Sequence, residues 1–145
     1  MSGVTTKMQI TRQSEYAIRT IIELANAAKG ELVTTKTISQ HQEIPEVFLK
    51  KTIQLLTNAG LITTQRGTKG GVRLAVPAMD IFIADIITAV EGKLAINVCL
   101  STVYECPNKS VCRVRDILGR AQAAMLAELS RESIADLVTL RAEKC

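Results

Sequence analysis

The sequence predicts a mainly α-helical protein with one small β-hairpin, and three features of the chain support this fold class. Apolar residues recur at helical spacing in the segments ITRQSEYAIRTIIELANAAKG and PEVFLKKTIQLLTNAG. After them, the turn RGTKGG precedes the alternating apolar residues Val72, Leu74 and Val76, which is typical of a half-buried strand. Towards the end of the chain, CRVRDILGRAQAAMLAELS predicts a long amphipathic helix.

The order of elements in the first half predicts a winged helix-turn-helix. Thr11 is the expected N-cap of the first helix, and Gly30 is its expected end. TTKTISQHQEI predicts a short second helix, and Pro45 suits the first turn of a third, where a missing N–H is tolerated. Helices, a turn and a β-ribbon in this order form a winged helix-turn-helix. We therefore predict a DNA-binding domain at residues 1–78 and a second domain at residues 79–145.

Positive charge is concentrated in the first half of the chain. Residues 1–76 carry ten Lys and Arg against five Asp and Glu, whereas residues 77–145 carry eight against nine. A basic half joined to a near-neutral half is typical of a nucleic-acid-binding part linked to another function. Charge alone leaves a solvated basic face as an equal alternative.

The third helix and the turn of the hairpin hold the expected DNA contacts. The first residues of a recognition helix reach base edges in the major groove, where lysine can donate to guanine and glutamate can accept from cytosine. The adjacent Phe48 and Leu49 are expected in the core. The candidates on the helix are Glu46, Val47, Lys50 and Lys51, and those on the wing are Arg66, Lys69 and Arg73.

The second half is predicted to begin with a helix and to end with a dimerisation seam. AMDIFIADIITAVEG predicts a fourth helix with Asp80 as its N-cap and Gly92 after it. SIADLVTL predicts a short closing helix, with Ser133 as its cap and Asp136 three residues on. The long helix between them carries an apolar stripe that one small domain cannot cover, so we expect it to pair with a second copy. This stripe comprises Val114, Leu118, Ala121, Met125 and Leu129.

Three cysteines lie close together before the long helix. No apolar run reaches the roughly 18 to 20 residues that span a bilayer, and the first residues lack an apolar signal core. We therefore expect a cytoplasmic protein with no membrane partner. In that compartment the clustered Cys99, Cys106 and Cys112 are expected to bind metal or to do redox chemistry.

These motifs together resemble a family of bacterial regulators. The order MQITRQSEYAIR, IPEVFLKKTIQLLTNAGLI, RGTKGGVRLA, a fourth helix and Cys-x6-Cys-x5-Cys resembles the regulators typified by IscR, NsrR and RirA, from Met8 to about Leu140. The resemblance implies a homodimeric winged-helix transcription regulator that binds a double-stranded DNA operator, has no small-molecule substrate and is not an enzyme. Many members carry an iron–sulfur cluster, 2Fe–2S or 4Fe–4S, and others lack the cysteines.

The resemblance implies that Cys99, Cys106 and Cys112 hold such a cluster, and it leaves the fourth ligand open. IscR-like members place a His three residues after the third cysteine, where this chain has Arg115. NsrR-like members use an acidic residue early in the first helix of the partner subunit, and the matching position here is Glu15. The alternatives are an acid that only favours the helix dipole, with a small molecule, water or another side chain as the ligand.

Two other functions compete with a cluster-controlled repressor. The first is a thiol redox enzyme, which the absence of a Cys-x2-Cys pair disfavours. The second is a metal-free or zinc-bound repressor of the same fold that responds to a small molecule or a partner protein. Structural zinc sites usually space their cysteines two to four residues apart, so spacings of six and five favour the cluster.

Overall fold

The computed structural model describes residues 10–93 and 112–139, and within them it contains six α-helices and two β-strands. The helices are α1 (Arg12–Asn26), α2 (Thr35–Gln42), α3 (Glu46–Asn58), α4 (Ile83–Glu91), α5 (Arg113–Leu129) and α6 (Ile134–Thr139), and the strands are β1 (Ile62–Gln65) and β2 (Gly71–Leu74). The prediction of a mainly helical fold with a two-stranded wing is therefore confirmed. Within the described ranges, no helix is long and apolar enough to cross a membrane.

Helix α1 starts where the sequence predicts and ends earlier than predicted. The Thr11 side chain accepts a hydrogen bond from the Ser14 N–H at 3.2 Å, which satisfies one of the free donors at the helix start. The helix stops at Asn26 because Ala27 is already extended, with φ −71° and ψ 157°. Gly30, the predicted end, instead adopts φ +80° in the loop that follows.

Helix α3 has the predicted buried face, with one exception. Leu49 and Leu56 are buried, and Pro45 takes the N-cap position rather than a place inside the first turn. Phe48, predicted in the core, is 50% exposed. One residue corresponds to about 100° of rotation around a helix, so Phe48 lies beside the buried stripe. Its ring packs against Tyr16 of α1, with 6.2 Å between ring centroids.

The wing is an antiparallel hairpin joined to a third backbone segment. Ile62 lies opposite Leu74, and Val72 forms two further backbone hydrogen bonds with Val33, at 2.8 and 2.9 Å. A Cβ atom at Gly71 would lie 2.7 Å from the Val33 carbonyl oxygen, so only glycine fits this close approach. Val76, predicted in the alternating pattern, lies beyond the end of β2.

Helix α4 begins later than predicted, and Asp80 is not its N-cap. Asp80 ends a short 3-10 helix at Ala78–Asp80. The carboxylate at the start of α4 is that of Asp85, which accepts a hydrogen bond from the Phe82 N–H at 3.0 Å. The helix ends before Gly92, as predicted.

The core joins the winged helix-turn-helix to α4 and α6. Helix α1 packs against α3, α4 and α6, and the hydrophobic cluster includes Ile81, Ile86 and Ile134 as well as residues of the first three helices. Ser133 and Asp136 form the predicted reciprocal cap at the start of α6. The division of the chain at residues 78 and 79 stays a prediction.

Candidate nucleic-acid interface and metal-ligand residues

The turn between α2 and α3 sets the direction of the recognition helix. Glu43 takes the left-handed conformation, with φ 53° and ψ 46°, which ends α2. The next residue, Ile44, is buried, and its backbone is held from both sides by Ser39. The Ser39 hydroxyl donates to the Ile44 carbonyl at 2.6 Å, and the Ile44 N–H donates to the Ser39 carbonyl at 3.1 Å. The orientation of α3 relative to α2 is therefore fixed by burial and by hydrogen bonds.

One side of α3 is exposed in the described part of the chain. The four residues of α3 predicted to read DNA are all exposed, whereas Leu49, Ile53 and Leu56 on the opposite side are buried. Residues three and four apart on a helix are neighbours, so the predicted residues form one continuous surface. They are Glu46, Val47, Lys50 and Lys51.

The start of α3 is anchored to α1 beneath this surface. Gln13 of α1 donates a hydrogen bond to the Thr52 hydroxyl, and that hydroxyl donates to the Phe48 carbonyl at 2.8 Å. Tyr16, which also belongs to α1, packs against the Phe48 ring. A movement of α1 would therefore be transmitted to the start of α3, where the contacts with bases are predicted.

The predicted wing residues are also exposed. Arg66 and Lys69 lie in the turn between the strands, and Arg73 lies on β2 opposite Thr63. The turn itself requires glycine, because Gly67 has φ +112°. Five cations and one carboxylate make up the charged residues predicted to contact DNA on the helix and the wing, so the candidate surface is positive.

Helix α5 carries the predicted stripe on a surface that the described part of the chain leaves partly exposed. None of its residues is fully buried. Val114 and Ala121 are exposed, and the other three predicted residues are half-buried. Ile117, 56% exposed, extends the apolar surface and was missed by the sequence prediction, although it lies three residues after Val114.

One of the four cysteines lies in the described part of the chain. Cys112 is the N-cap of α5, and its Sγ accepts a hydrogen bond from the backbone N–H of Arg115 at 3.4 Å. Cys99, Cys106 and Cys145 lie outside the described residues. Within residues 10–93 and 112–139, no three His, Cys, Asp or Glu side chains come together as a metal site.

Glu15 is exposed in the first turn of α1 and forms an ion pair with Arg19. Arg19 also donates a hydrogen bond to the Gln42 carbonyl at the end of α2, at 3.3 Å. The Glu–Arg spacing of four residues could have been noticed in the sequence. The contact with Gln42 could not, because it depends on how α1 and α2 pack. Glu15 is thus connected through one side chain to the turn that precedes α3.

The only histidine of the chain lies away from the cysteine segment in sequence and has a partner in α1. The Nδ1 atom of His41 lies 2.7 Å from the Glu23 carboxylate, and the same carboxylate accepts a hydrogen bond from Gln42 at 2.7 Å. His41 therefore joins α2 to α1.

The chain is similar to a known family and to known relatives along most of its length. A family model described as Rrf2, iron-dependent transcriptional regulator, matches residues 10–140. The protein rrf2 of Nitratidesulfovibrio vulgaris is 36% identical over 131 residues, which cover 90% of this chain and 87% of that protein. The protein aau3 of Rhizobium meliloti is 36% identical over 136 residues, covering 92% and 87%.

Solved structures show the same fold. CymR, the global cysteine regulator of B. subtilis, is 28% identical and superimposes with a TM-score of 0.73, covering 92% of this chain and 98% of CymR. IscR of T. potens, 24% identical, has a TM-score of 0.73 over 94% of this chain and 90% of IscR. The chain therefore belongs to the Rrf2 family of winged-helix, DNA-binding transcription regulators, which are not enzymes.

Proposed function

We propose that this chain is a homodimeric repressor whose operator binding is controlled by an iron–sulfur cluster held by Cys99, Cys106 and Cys112. Three thiols within one segment form a soft ligand set that suits iron–sulfur clusters. The fourth ligand in this proposal is Glu15 of the partner subunit. The signal is iron supply, redox state or nitric oxide. A bound cluster would react with nitric oxide or oxygen, and it would be lost when iron is scarce.

The position of Cys112 is the observation that carries the cluster proposal. Its thiol occupies the N-cap of the 17-residue helix α5, where a backbone N–H already points at the sulfur. The N-terminus of a helix stabilises negative charge, and thiolate ligands bring negative charge to a metal site. The same helix carries the predicted dimer seam, so the proposed ligand and the seam belong to one element.

Glu15 fits the role of an exchangeable fourth ligand. A carboxylate oxygen is a harder ligand than a thiolate, so this bond would be the weakest of the four. The Glu15 side chain is half exposed, which leaves it accessible to a partner subunit. Arg19 would compete for the same carboxylate, because the two side chains form an ion pair.

The contact between Arg19 and the end of α2 gives this exchange a route to DNA. If Glu15 ligated the partner's cluster, Arg19 would lose its ion pair with Glu15 and keep its hydrogen bond to the Gln42 carbonyl. The end of α2 precedes the turn that orients α3, so the ligation state would bias the spacing of the two recognition helices in the dimer. Dimeric helix-turn-helix proteins need that spacing to match successive major grooves about one helical turn or a multiple apart.

Anaerobic purification followed by visible absorption and iron and sulfide analysis tests the proposal. We expect a brown protein, and we expect Cys99→Ala, Cys106→Ala and Cys112→Ala each to abolish the colour and the bound iron. Cys145→Ala is the matched control and should keep both. A colourless wild type with zinc or no metal would contradict the proposal, and loss of the cluster in Cys145→Ala would contradict the assignment of ligands.

The similarity to CymR supports a second candidate function. CymR is a global cysteine regulator, and it is similar to this chain over nearly its whole length. In this alternative, the chain is a metal-free or zinc-bound repressor that responds to a small thiol metabolite or a partner protein. A colourless protein whose affinity for its operator changes on addition of such a thiol would favour this candidate over the first.

A further inference from the structure

The recognition helix exposes two consecutive apolar side chains that its own packing leaves in solvent. Val47 is 77% exposed and Phe48 is 50% exposed, whereas the next residue, Leu49, is 1% exposed. Exposed apolar neighbours on a functional element mark a contact surface more than a solvated one. Their position at the start of α3 places this contact at the end of the helix that reads base edges.

The residues around this apolar pair indicate what it contacts. Lys50 and Lys51 lie three and four residues after Val47, so they flank it on the same side of the helix. Lysines at this position attract phosphates and base acceptors, which makes DNA the partner. The 5-methyl group of thymine is the apolar group that base pairs present in the major groove.

We propose that Val47 and Phe48 read thymine 5-methyl groups, so that operator recognition depends on A·T pairs beneath the start of α3. This inference rests on the proposed placement of α3 in the major groove. Lys50 and Glu46 then read hydrogen-bonding groups of neighbouring pairs. The pair of apolar side chains sets where thymine is required.

Both side chains are held in place before DNA arrives. The Phe48 ring lies against Tyr16, tilted by 32°, and the Phe48 carbonyl accepts the Thr52 hydroxyl. Val47 is β-branched and therefore has one strongly preferred side-chain conformation in a helix. A surface that loses little conformational freedom on binding discriminates better between a methyl group and its absence.

The first stage of the test identifies the bound sequence. The full-length protein, in whichever cluster state binds DNA more tightly, selects duplexes from a random-sequence library, and the bound pool is sequenced. We expect the wild type to enrich thymine at one or two fixed positions in each half-site. Val47→Ala should lose that enrichment, while Val47→Thr, which keeps one methyl group, should retain part of it.

The second stage removes the methyl group from the DNA instead of the protein. Deoxyuridine replaces each enriched thymine of the selected duplex in turn, which deletes only the 5-methyl group. We expect about fourfold weaker binding by the wild type for each contacted methyl, the value for burial of one such group. Val47→Ala should bind the thymine and deoxyuridine duplexes equally at the position that Val47 reads in the wild type. Phe48→Leu should retain part of the discrimination at the position that Phe48 reads.

A matched control and the remaining outcomes separate this inference from the function on which it rests. Met79→Ala alters another exposed apolar residue, outside α3, and should keep the wild-type preference. If the wild type bound every deoxyuridine duplex as tightly as the thymine duplex while Lys50→Ala still weakened binding, the reading of methyl groups would be refuted. The placement of α3 in the major groove would then still stand. If Lys50→Ala and Arg66→Ala also left binding unchanged, both the reading of methyl groups and the placement of α3 in the major groove would be refuted.

Discussion

The helix-turn-helix and helix α5 use their apolar residues in opposite ways. In the first region, Ile21, Ile38 and Leu56 are completely buried within the chain. In α5 no residue is fully buried, and Val114 is 62% exposed. The first region is therefore stabilised by a core that it shares with α4 and α6, whereas the described part of the chain leaves the apolar stripe of α5 partly exposed.

This contrast supports the different tasks that the proposed function gives to the two regions. A core formed within one chain keeps α3 and the wing in a fixed relation, which the proposed DNA reading requires. Helix α5 follows the cysteine segment in sequence, and its apolar stripe is partly exposed in the described part of the chain, which suits the proposed dimer interface. Stability of the first region should therefore be a property of one chain, and the state of α5 should depend on association.

Leu118→Arg tests the association of α5 and should have the largest effect. It would bury an unpaired charge in the predicted seam, at a cost of about 3–5 kcal/mol. We expect sedimentation to change from dimer to monomer. Ala127→Arg is the matched control, because Ala127 is exposed on the side of α5 away from the stripe, and it should stay dimeric. A monomeric wild type would refute the predicted seam.

Leu56→Ala tests the claim that the first region depends on a core formed within one chain. Leu56 is fully buried, so truncation should lower the free energy of unfolding by about 2–5 kcal/mol. Urea unfolding at two protein concentrations provides the measurement. We expect the same decrease at both concentrations, whereas Val114→Ala should matter only through association. A decrease below about 1 kcal/mol for Leu56→Ala would place that side chain outside a packed core.

Local sequence patterns predicted the parts of the fold that local interactions determine. The buried face of α3, the Thr11 cap and the reciprocal cap of Ser133 and Asp136 follow from residue spacing and from short-range hydrogen bonds. The stripe on α5 was also predicted from the helical spacing of its apolar residues, although its pairing with a second copy stays a prediction.

Features that depend on distant parts of the chain were missed. Phe48 was expected in the core, but it is 50% exposed, and its ring contact with Tyr16 of α1 joins residues 32 positions apart. The bonds between Val33 and Val72 and between Arg19 and Gln42 join segments separated along the chain. No spacing rule reports such contacts, so the family resemblance suggested Glu15 as a ligand without revealing its connection to α2.

Lys50→Ala and Arg66→Ala test the exposed basic surface of the first region. Each should weaken operator binding and reduce the slope of log affinity against log salt by roughly 0.9 for each phosphate that the variant no longer neutralises. Binding measured over a salt series separates this effect from a failure to fold. Lys93→Ala alters an exposed lysine after α4 and is the control, with no expected change in slope. Unchanged slopes in both variants would move the DNA surface elsewhere.

The smallest expected effect is at Glu15, where the two regions would be joined. Glu15→Ala and Glu15→Gln should still assemble a cluster on the three cysteines, but with an altered visible spectrum and a smaller ratio between holo and apo affinities for the operator. Stability should change little, because an exposed ion pair of this spacing contributes only about 0.3–0.5 kcal/mol. Absorption, circular dichroism and operator titration in both cluster states provide the measurements.

Arg19→Ala separates ligation by Glu15 from the mechanical connection to α2. It leaves the Glu15 carboxylate in place and removes the bond to the Gln42 carbonyl, so the spectrum should stay like the wild type while the ratio of affinities falls. Glu132→Gln, at an exposed acid in the turn before α6, should change neither.

If Glu15→Ala and Glu15→Gln both matched the wild type in spectrum and in affinity ratio, Glu15 would be only an acid that favours the start of α1. The fourth ligand would then have to come from another residue or a small molecule, and the exchange between Arg19 and the cluster would not occur.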